Sequence, residues 1–221
     1  MVVKFGYFWY NRPMIITYFG KQFFKIQQGE TVVAINPISK DSKEFNKAKF
    51  GSNVVISTTN HPDFNGIDSA TYGDATPFLI DGPGEYEVGS VFVRGFISSA
   101  EIDKKKYVNT IYLIKIDDIN VCFLGPLDSK DSLSKELGEE IDEPDIIFVP
   151  VNGESSIDAT TAVKIANSFN AKMVIPMDYD AGTLKTFLKE VGGEGITPEE
   201  KLTLKKKDFT SGKISVAVLK Y

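Results

Sequence analysis

The first quarter of the chain is cut into short runs of β-branched and aromatic residues divided by glycine, and this rhythm constrains the fold more than any other feature. The runs are Met14 to Phe19, Gln22 to Gln27, Thr31 to Ile35 and Asn53 to Thr58, with Gly20, Gly29 and Gly51 between them. Such side chains suit a pleated, half-buried surface, so antiparallel or mixed sheet is predicted here. Strand-like runs continue at Phe78 to Asp81, Glu85 to Val88 and Ser90 to Phe96, punctuated by Gly82-Pro83-Gly84 and Gly89. Asn109 to Ile116 and Ile119 to Leu124 follow, and the acidic turn Asp117-Asp118 between them reads as a hairpin.

After Leu127 the rhythm changes to alternating helix and strand. A helix is predicted over Ser129 to Leu137, a buried strand over Asp145 to Val151, and a second helix over Asp158 to Phe169. In that helix Ala162, Ile165, Ala166 and Phe169 share one face at helical spacing, with Asp158 placed to cap its start. A strand over Lys172 to Met177, a helix over Ala181 to Val191 and strands near Lys201 to Lys207 and Lys213 to Leu219 complete the pattern. Two sheets with helices outside them are the expected result. The polar stretch Ser39 to Lys49 fits a surface loop with a helical turn.

A chain of 221 residues is long enough to bury a substantial core as one domain. The division expected is an N-terminal arm or edge strand over 1–13, rich in aromatics, and a domain over 14–221. Lys+Arg of 25 against Asp+Glu of 30 gives a net charge of -5, without the basic field that a phosphate backbone requires. Nucleic acid is thereby disfavoured as a partner. No apolar run approaches the roughly 20 residues needed to cross a bilayer, and the N-terminal segment has no hydrophobic signal core, so a cytoplasmic protein without a membrane partner is expected. The single cysteine, Cys122, lies in the apolar run Val121 to Leu124 and reads as a small core hydrophobe.

One stretch carries chemistry. Asn53 to Asn65, NVVISTTNHPDFN, is an apolar strand running into a loop with His61 and Asp63 two residues apart. It resembles the HxHxDH motif of the metallo-β-lactamase superfamily. Other stretches fall in the order that superfamily gives. ITYFGKQFFKIQQGETVVAINP resembles its opening hairpin, with Lys21 and Asn36 in place of the usual polar residues, and IDGPGEYEVGSVFVRGF resembles a segment of the ascorbate-6-phosphate lactonase-like branch. NTIYLIKIDDINVCFLGPL resembles the hairpin that normally ends in His-x-Gly-Asp, and IIFVPVNGESSIDATTAVKIANSFNAKMVIPMDY the strand, helix and strand that finish in a Pro-Met-His loop. The resemblance spans roughly Met14 to Tyr179 and implies a four-layer αββα sandwich.

Members of that superfamily hold one or two metals, usually zinc, through imidazoles and carboxylates, and a metal-bound hydroxide attacks the substrate. Carried over position by position, the resemblance implies that most of these ligands are gone. The first motif reads Thr59, His61, Asp63 and Phe64 where the family has His, His, Asp and His. The next histidine falls near Ala100, the metal-bridging aspartate at Pro126, and the last histidine at Asp178. His61, Asp63 and Asp178 are the remaining candidate ligands, and Asp63 is the candidate catalytic residue of an active form. Each also has an ordinary reading: His61 as a loop histidine, Asp63 as a turn-former before Asn65-Gly66, and Asp178 as the cap of the helix near Ala181.

Two functions follow. One is a metal-free protein with no cofactor that binds a small molecule or a protein, with homo-oligomer formation implied by the lactonase-like branch. The other is a hydrolase of a phosphorylated or ester-bearing small molecule with one weakly bound zinc or manganese ion. A working enzyme is expected to keep an open polar cleft at the strand ends; a retired site is expected to be plugged by Phe64, Phe123 or the N-terminal aromatics. Lys104-Lys105-Lys106 and Lys205-Lys206-Lys207 read as solvated loop or edge positions, and Ser155-Ser156 as part of a helix cap.

Overall fold

The computed structural model describes residues 12–44, 47–141, 143–154, 156–209, 212 and 214–221. The expected N-terminal arm lies outside them except for Arg12 and Pro13; the Arg12 carbonyl accepts a hydrogen bond from Gln28 Nε2 at 3.2 Å.

Strands β1 (Met14–Tyr18), β2 (Phe24–Gln28), β3 (Thr31–Ile35), β4 (Val54–Ile56) and β5 (Phe78–Ile80) build most of the first sheet. In β1 and β2 every second side chain is buried, which is the alternation expected of strands with one face on the core. The second sheet begins with β6 (Gly84–Val88), β7 (Val91–Ile102), β8 (Lys105–Ile116) and β9 (Ile119–Phe123). After it come α1 (Lys135–Glu140), β10 (Ile146–Pro150), α2 (Ala159–Ser168), β11 (Met173–Met177) and α3 (Ala181–Val191), then β12 (Lys201–Leu204) and β13 (Ser215–Val216). The orders are β12-β1-β2-β3-β4-β5 and β13-β11-β10-β9-β8-β7-β6. Each sheet is antiparallel in one part and parallel in the other: β3, β4 and β5 run parallel, as do β9, β10, β11 and β13. Every residue of β10 and β11 is buried, as a parallel strand covered on both faces requires.

The sheets stack on a core that takes Ile16, Phe24, Ile26 and Val54 from one and Val93, Tyr112, Phe123 and Phe148 from the other. Helices α2 and α3 cover the outer face of the second sheet, where Ala162, Ile165, Ala166 and Phe187 meet Ile147, Val149 and Val174. The outer face of the first sheet is covered by the 3-10 turn Ile67–Ala70 and neighbouring loops, with Ile38 and Ala70 packed on Phe23, Ala34 and Val55. The αββα sandwich stands, and among the described residues its outer layer on this side is a turn and loops.

Local expectations differ from the structure in several places. The strands predicted at Ser90 to Phe96 and Asn109 to Ile116 extend to Ile102 and back to Lys105, forming one hairpin of two 12-residue strands. Polar Ser98 and Ser99 and the charged run Lys104 to Lys106 hide it, and in the structure the two serines bond to Asn109, Asp128 and Ser132. The helix predicted over Ser129 to Leu137 is a 3-10 turn, Lys130–Ser132, followed by α1, because Ser134 accepts from the Leu137 amide and sets the start there. The two C-terminal strands are shorter than predicted.

Candidate functional site

The C-terminal ends of β3, β4, β9, β10 and β11, with the turn from β1 to β2, meet at one edge of the sandwich. Two backbone contacts cross between the sheets there: the Thr110 amide donates to the Thr58 carbonyl at 2.8 Å, and the Asp178 amide to the Lys21 carbonyl at 2.7 Å. Lys21, Asn36 and Asp178 all adopt left-handed backbone conformations at this edge, with φ of 53°, 49° and 52°. Non-glycine residues seldom do so, and such conformations gather at functional sites.

Asp178 is 5% exposed. Its Oδ1 faces Lys21 Nζ at 3.4 Å and Asn152 Nδ2 at 3.5 Å, while its Oδ2 has no hydrogen-bond partner among the described residues. The Tyr18 hydroxyl donates to the Lys21 carbonyl at 2.7 Å and accepts from the Asp178 amide at 3.1 Å, so the turn grips Asp178 through backbone as well as charge. Burial raises the Asp178 pKa above the ordinary carboxylate value by more than Lys21 and the nearby Gln22 carboxamide lower it. Burial also opposes the charge on Lys21, but Asp178, Asp63 and Glu44 outweigh it and raise that pKa. The ammonium is thus held charged among carboxylates.

His61 and Asp63 sit together in the loop after β4. The Asp63 amide donates to His61 Nδ1 at 3.2 Å, which commits that nitrogen as an acceptor and leaves Nε2 to carry the proton of the neutral ring. Asp63 Oδ1 accepts from Ser42 Oγ at 2.5 Å, and its Oδ2 lies 3.7 Å from His61 Nδ1. The imidazole meets Tyr107 edge-on, with ring centres 5.4 Å apart, and lies 6.0 Å from the ring of Phe64.

A line of amides joins these two groups to the second sheet. Asn36 Nδ2 donates to Gln22 Oε1 at 3.4 Å, and Asn36 Oδ1 accepts from the Thr58 amide at 2.8 Å. The Thr59 hydroxyl donates to Asn109 Oδ1 at 3.2 Å, and Asn109 Nδ2 donates to the Leu124 carbonyl at 2.9 Å and to Ser98 Oγ at 2.8 Å. Gly125 lies against this line with φ of 67°, and a Cβ there would stand 2.3 Å from Asn109 Oδ1.

The structure therefore brings His61 and Asp63 into contact and sets Asp178 against Lys21. Asp178 does not cap α3. Asp180 does, accepting from the amides of Gly182 and Thr183, because the chain needs two more residues to turn from β11 into the helix. The Asp63 carboxylate accepts from Ser42, outside its own turn; Ser155 lies outside the described residues, Ser156 Oγ is buried with no hydrogen-bond partner among them, and Asp158 caps α2. Ala100 is sealed inside β7, paired with Tyr107. Phe64 is buried beside His61 as expected of a plug, but Phe123 is not at the site. It belongs to the inter-sheet core, 5.2 Å from the ring of Phe148, because its position in β9 points it between the sheets. Pro126 is buried in the loop after β9. Of four surface cavities formed by described residues, one has Tyr18 in its wall with Phe19 and Tyr221, and the other three are walled by side chains away from this edge, such as Phe92, Arg94, Leu113 and Ile141. Asn109 went unrecognised in the sequence because a single polar residue at the mouth of an apolar run reads as a strand boundary.

The family described as the Beta-lactamase superfamily domain matches residues 15–178. The chain belongs to this family. Among solved structures, a Thermotoga maritima protein whose name proposes a zinc-dependent hydrolase of the metallo-beta-lactamase superfamily is 26% identical, with a TM-score of 0.72 over 94% of this chain and 100% of that one. Igni18, a metallo hydrolase from Ignicoccus hospitalis, is 19% identical with a TM-score of 0.62 over 87% and 99%. The metallo-beta-lactamase fold protein YhfI from Bacillus subtilis is 12% identical with a TM-score of 0.61 over 95% and 98%. The last two share the fold alone. A search of curated proteins found no match.

Within this beta-lactamase superfamily domain the positions carried over as metal ligands can be compared with the geometry. Phe64 and Pro126 have no donor atom, and the Thr59 hydroxyl is used on Asn109. No group of three or more His, Cys, Asp or Glu side chains among the described residues could hold a metal ion. No helix among them is long and apolar enough to cross a membrane.

Proposed function

We propose that this beta-lactamase superfamily domain works without a metal, as a binding or interaction protein for a small molecule or another protein rather than as a hydrolase. One observation carries the reading: a lysine ammonium stands 3.4 Å from the carboxylate at the position of the family's last ligand. A catalytic zinc needs three protein ligands and an open water position, with donor atoms about 2.0–2.2 Å from the ion. His61 and Asp63 form a pair, and Asp178 is turned to Lys21 instead of completing a third corner. The donor set does not fit zinc.

A second reading draws on the similar structures named as metal-dependent hydrolases. In it His61, Asp63 and Asp178 hold one zinc or manganese ion that serves hydrolysis of a phosphorylated or ester-bearing substrate. Elemental analysis of protein purified without chelator from zinc- or manganese-supplemented medium separates the two, with His61→Ala alongside. The first reading expects no stoichiometric metal in either protein. About one equivalent, lost in His61→Ala, would overturn it and justify an esterase and phosphodiesterase screen.

A further inference from the structure

We propose that Lys21 is the resident cation of this site, its ammonium and the amides beside it tying the two sheets together where a metal-dependent relative would use an ion. The inference rests on the metal-free reading above and adds what takes the ion's place.

Three observations support it. Lys21 belongs to the β1–β2 turn of the first sheet and Asp178 to the end of β11 in the second, so their ion pair crosses the interface between the sheets. Both side chains are largely withdrawn from water, with 17% and 7% of their surface exposed, and an ion pair there is weakly screened. The same turn also receives the Asp178 amide on the Lys21 carbonyl and the Tyr18 hydroxyl, which fixes the geometry independently of charge.

The surroundings also select for a cation. Asp178 stands 3.4 Å from the Lys21 ammonium, and the charges of Asp63 and Glu44 add to its attraction and raise the Lys21 pKa. From Gln22, next in the turn, the amide line runs through Asn36 and Thr58 to Thr59 and Asn109, joining the ends of β3 and β4 to β8 and, through the Leu124 carbonyl, to β9. An anionic ligand would meet net negative charge here, and a divalent ion would have to displace the ammonium. Lys21 itself adopts a left-handed backbone conformation with φ of 53°, which the bonds of its carbonyl to the Asp178 amide and the Tyr18 hydroxyl hold in place.

The unequal burial of the pair gives an asymmetric test. Removing Lys21 leaves a buried carboxylate with no counter-charge, the more damaging way to break a buried pair. Removing the Asp178 charge leaves an ammonium that Asp63 and Glu44 still face. Thermal unfolding should be followed for wild type, Lys21→Met, Lys21→Arg, Asp178→Asn and Lys21→Met/Asp178→Asn, each with and without EDTA and with added zinc. Lys21→Met is expected to lower Tm by roughly 6–15 °C. Lys21→Arg should stay within about 4 °C of wild type, and the double variant should recover at least half of the Lys21→Met loss. EDTA and zinc should move none of these midpoints.

If Lys21→Met yields no soluble protein, a soluble double variant counts as the same recovery. Equal losses in Lys21→Met and Lys21→Arg, or losses that simply add in the double variant, would overturn the proposal, since charge pairing would then contribute nothing. A wild-type midpoint that falls in EDTA would instead overturn the metal-free reading, so the two failures are distinguishable.

Discussion

Two aspartates among the described residues are almost fully buried and face lysine, yet they are treated differently. Asp145, just before β10, is fully buried and saturated: Lys172 Nζ reaches Oδ1 at 3.0 Å, Lys206 Nζ reaches Oδ2 at 2.6 Å, and the Asn120 amide adds a bond at 2.8 Å. It ties β9, the residue before β11 and the segment after β12 to one point. Among the described residues Asp178 has one lysine, at 3.4 Å, and an oxygen without a hydrogen-bond partner, and its backbone is left-handed. A carboxylate selected only for stability collects enough donors to offset its desolvation. Asp178 falls short of that, which fits a position fixed first by the geometry of a site.

The largest expected effect breaks the saturated side of the comparison. Asp145→Asn should lose about 3 kcal/mol by chemical denaturation, because two ammonium groups and an amide lose a charged acceptor together. A loss under about 1 kcal/mol would mean that the lysines simply turn to solvent, and Asp145 would no longer differ from Asp178.

An intermediate case sharpens the contrast. Asp128, in the loop after Pro126, is partly buried, which by itself raises its pKa, but hydrogen bonds from Ser132 at 2.5 Å and Ser99 at 2.7 Å outweigh this and bring it below the ordinary 3.8. A lowered folded pKa means that the stabilisation is present above pH 3.8 and is lost as the pH falls through the folded value. Asp128→Asn is therefore expected to cost about 1–2 kcal/mol at neutral pH, with the gap to wild type closing below about pH 4. A gap that stays constant with pH would assign the effect to shape instead of charge.

The smallest effect belongs to Asp178→Asn in an otherwise native chain. Its charge is already opposed by burial, so its loss should cost about 1 kcal/mol or less at pH 7, well below the Asp145 value. A cost equal to that of Asp145→Asn would erase the distinction and remove the argument that Asp178 marks a site.

Much of the architecture was legible along the chain because it is written in local rules. Period-two burial marks β1 and β2, and continuous apolar runs mark β10 and β11. Asp158 announces the start of α2, and the acidic pair Asp117-Asp118 announces the β8–β9 turn, where Asp117 adopts φ of 51°. The ordered stretches from Met14 to Tyr179 pointed to the family that the match over 15–178 shows. Where side chains bond to partners distant in sequence, the local rules gave out. Ser98, Ser99 and the lysines Lys104 to Lys106 made the outer part of the long hairpin look like loop, and Phe123 looked like a cleft residue until the sheets were stacked.

The sequence by itself thus determined which segments are strands, which are helices, and which residue types stand at the positions where relatives bind metal. Only the tertiary structure decided what those residues do. That Lys21 meets Asp178 depends on a turn in one sheet and a strand end in the other, set face to face by packing of the apolar core. That Asp180 and not Asp178 caps α3 depends on how the chain leaves β11. Charge pairing acts through space at a few ångströms, whereas sequence patterns record only neighbours along the chain, so the partner of a buried charge becomes visible when the layers close on it.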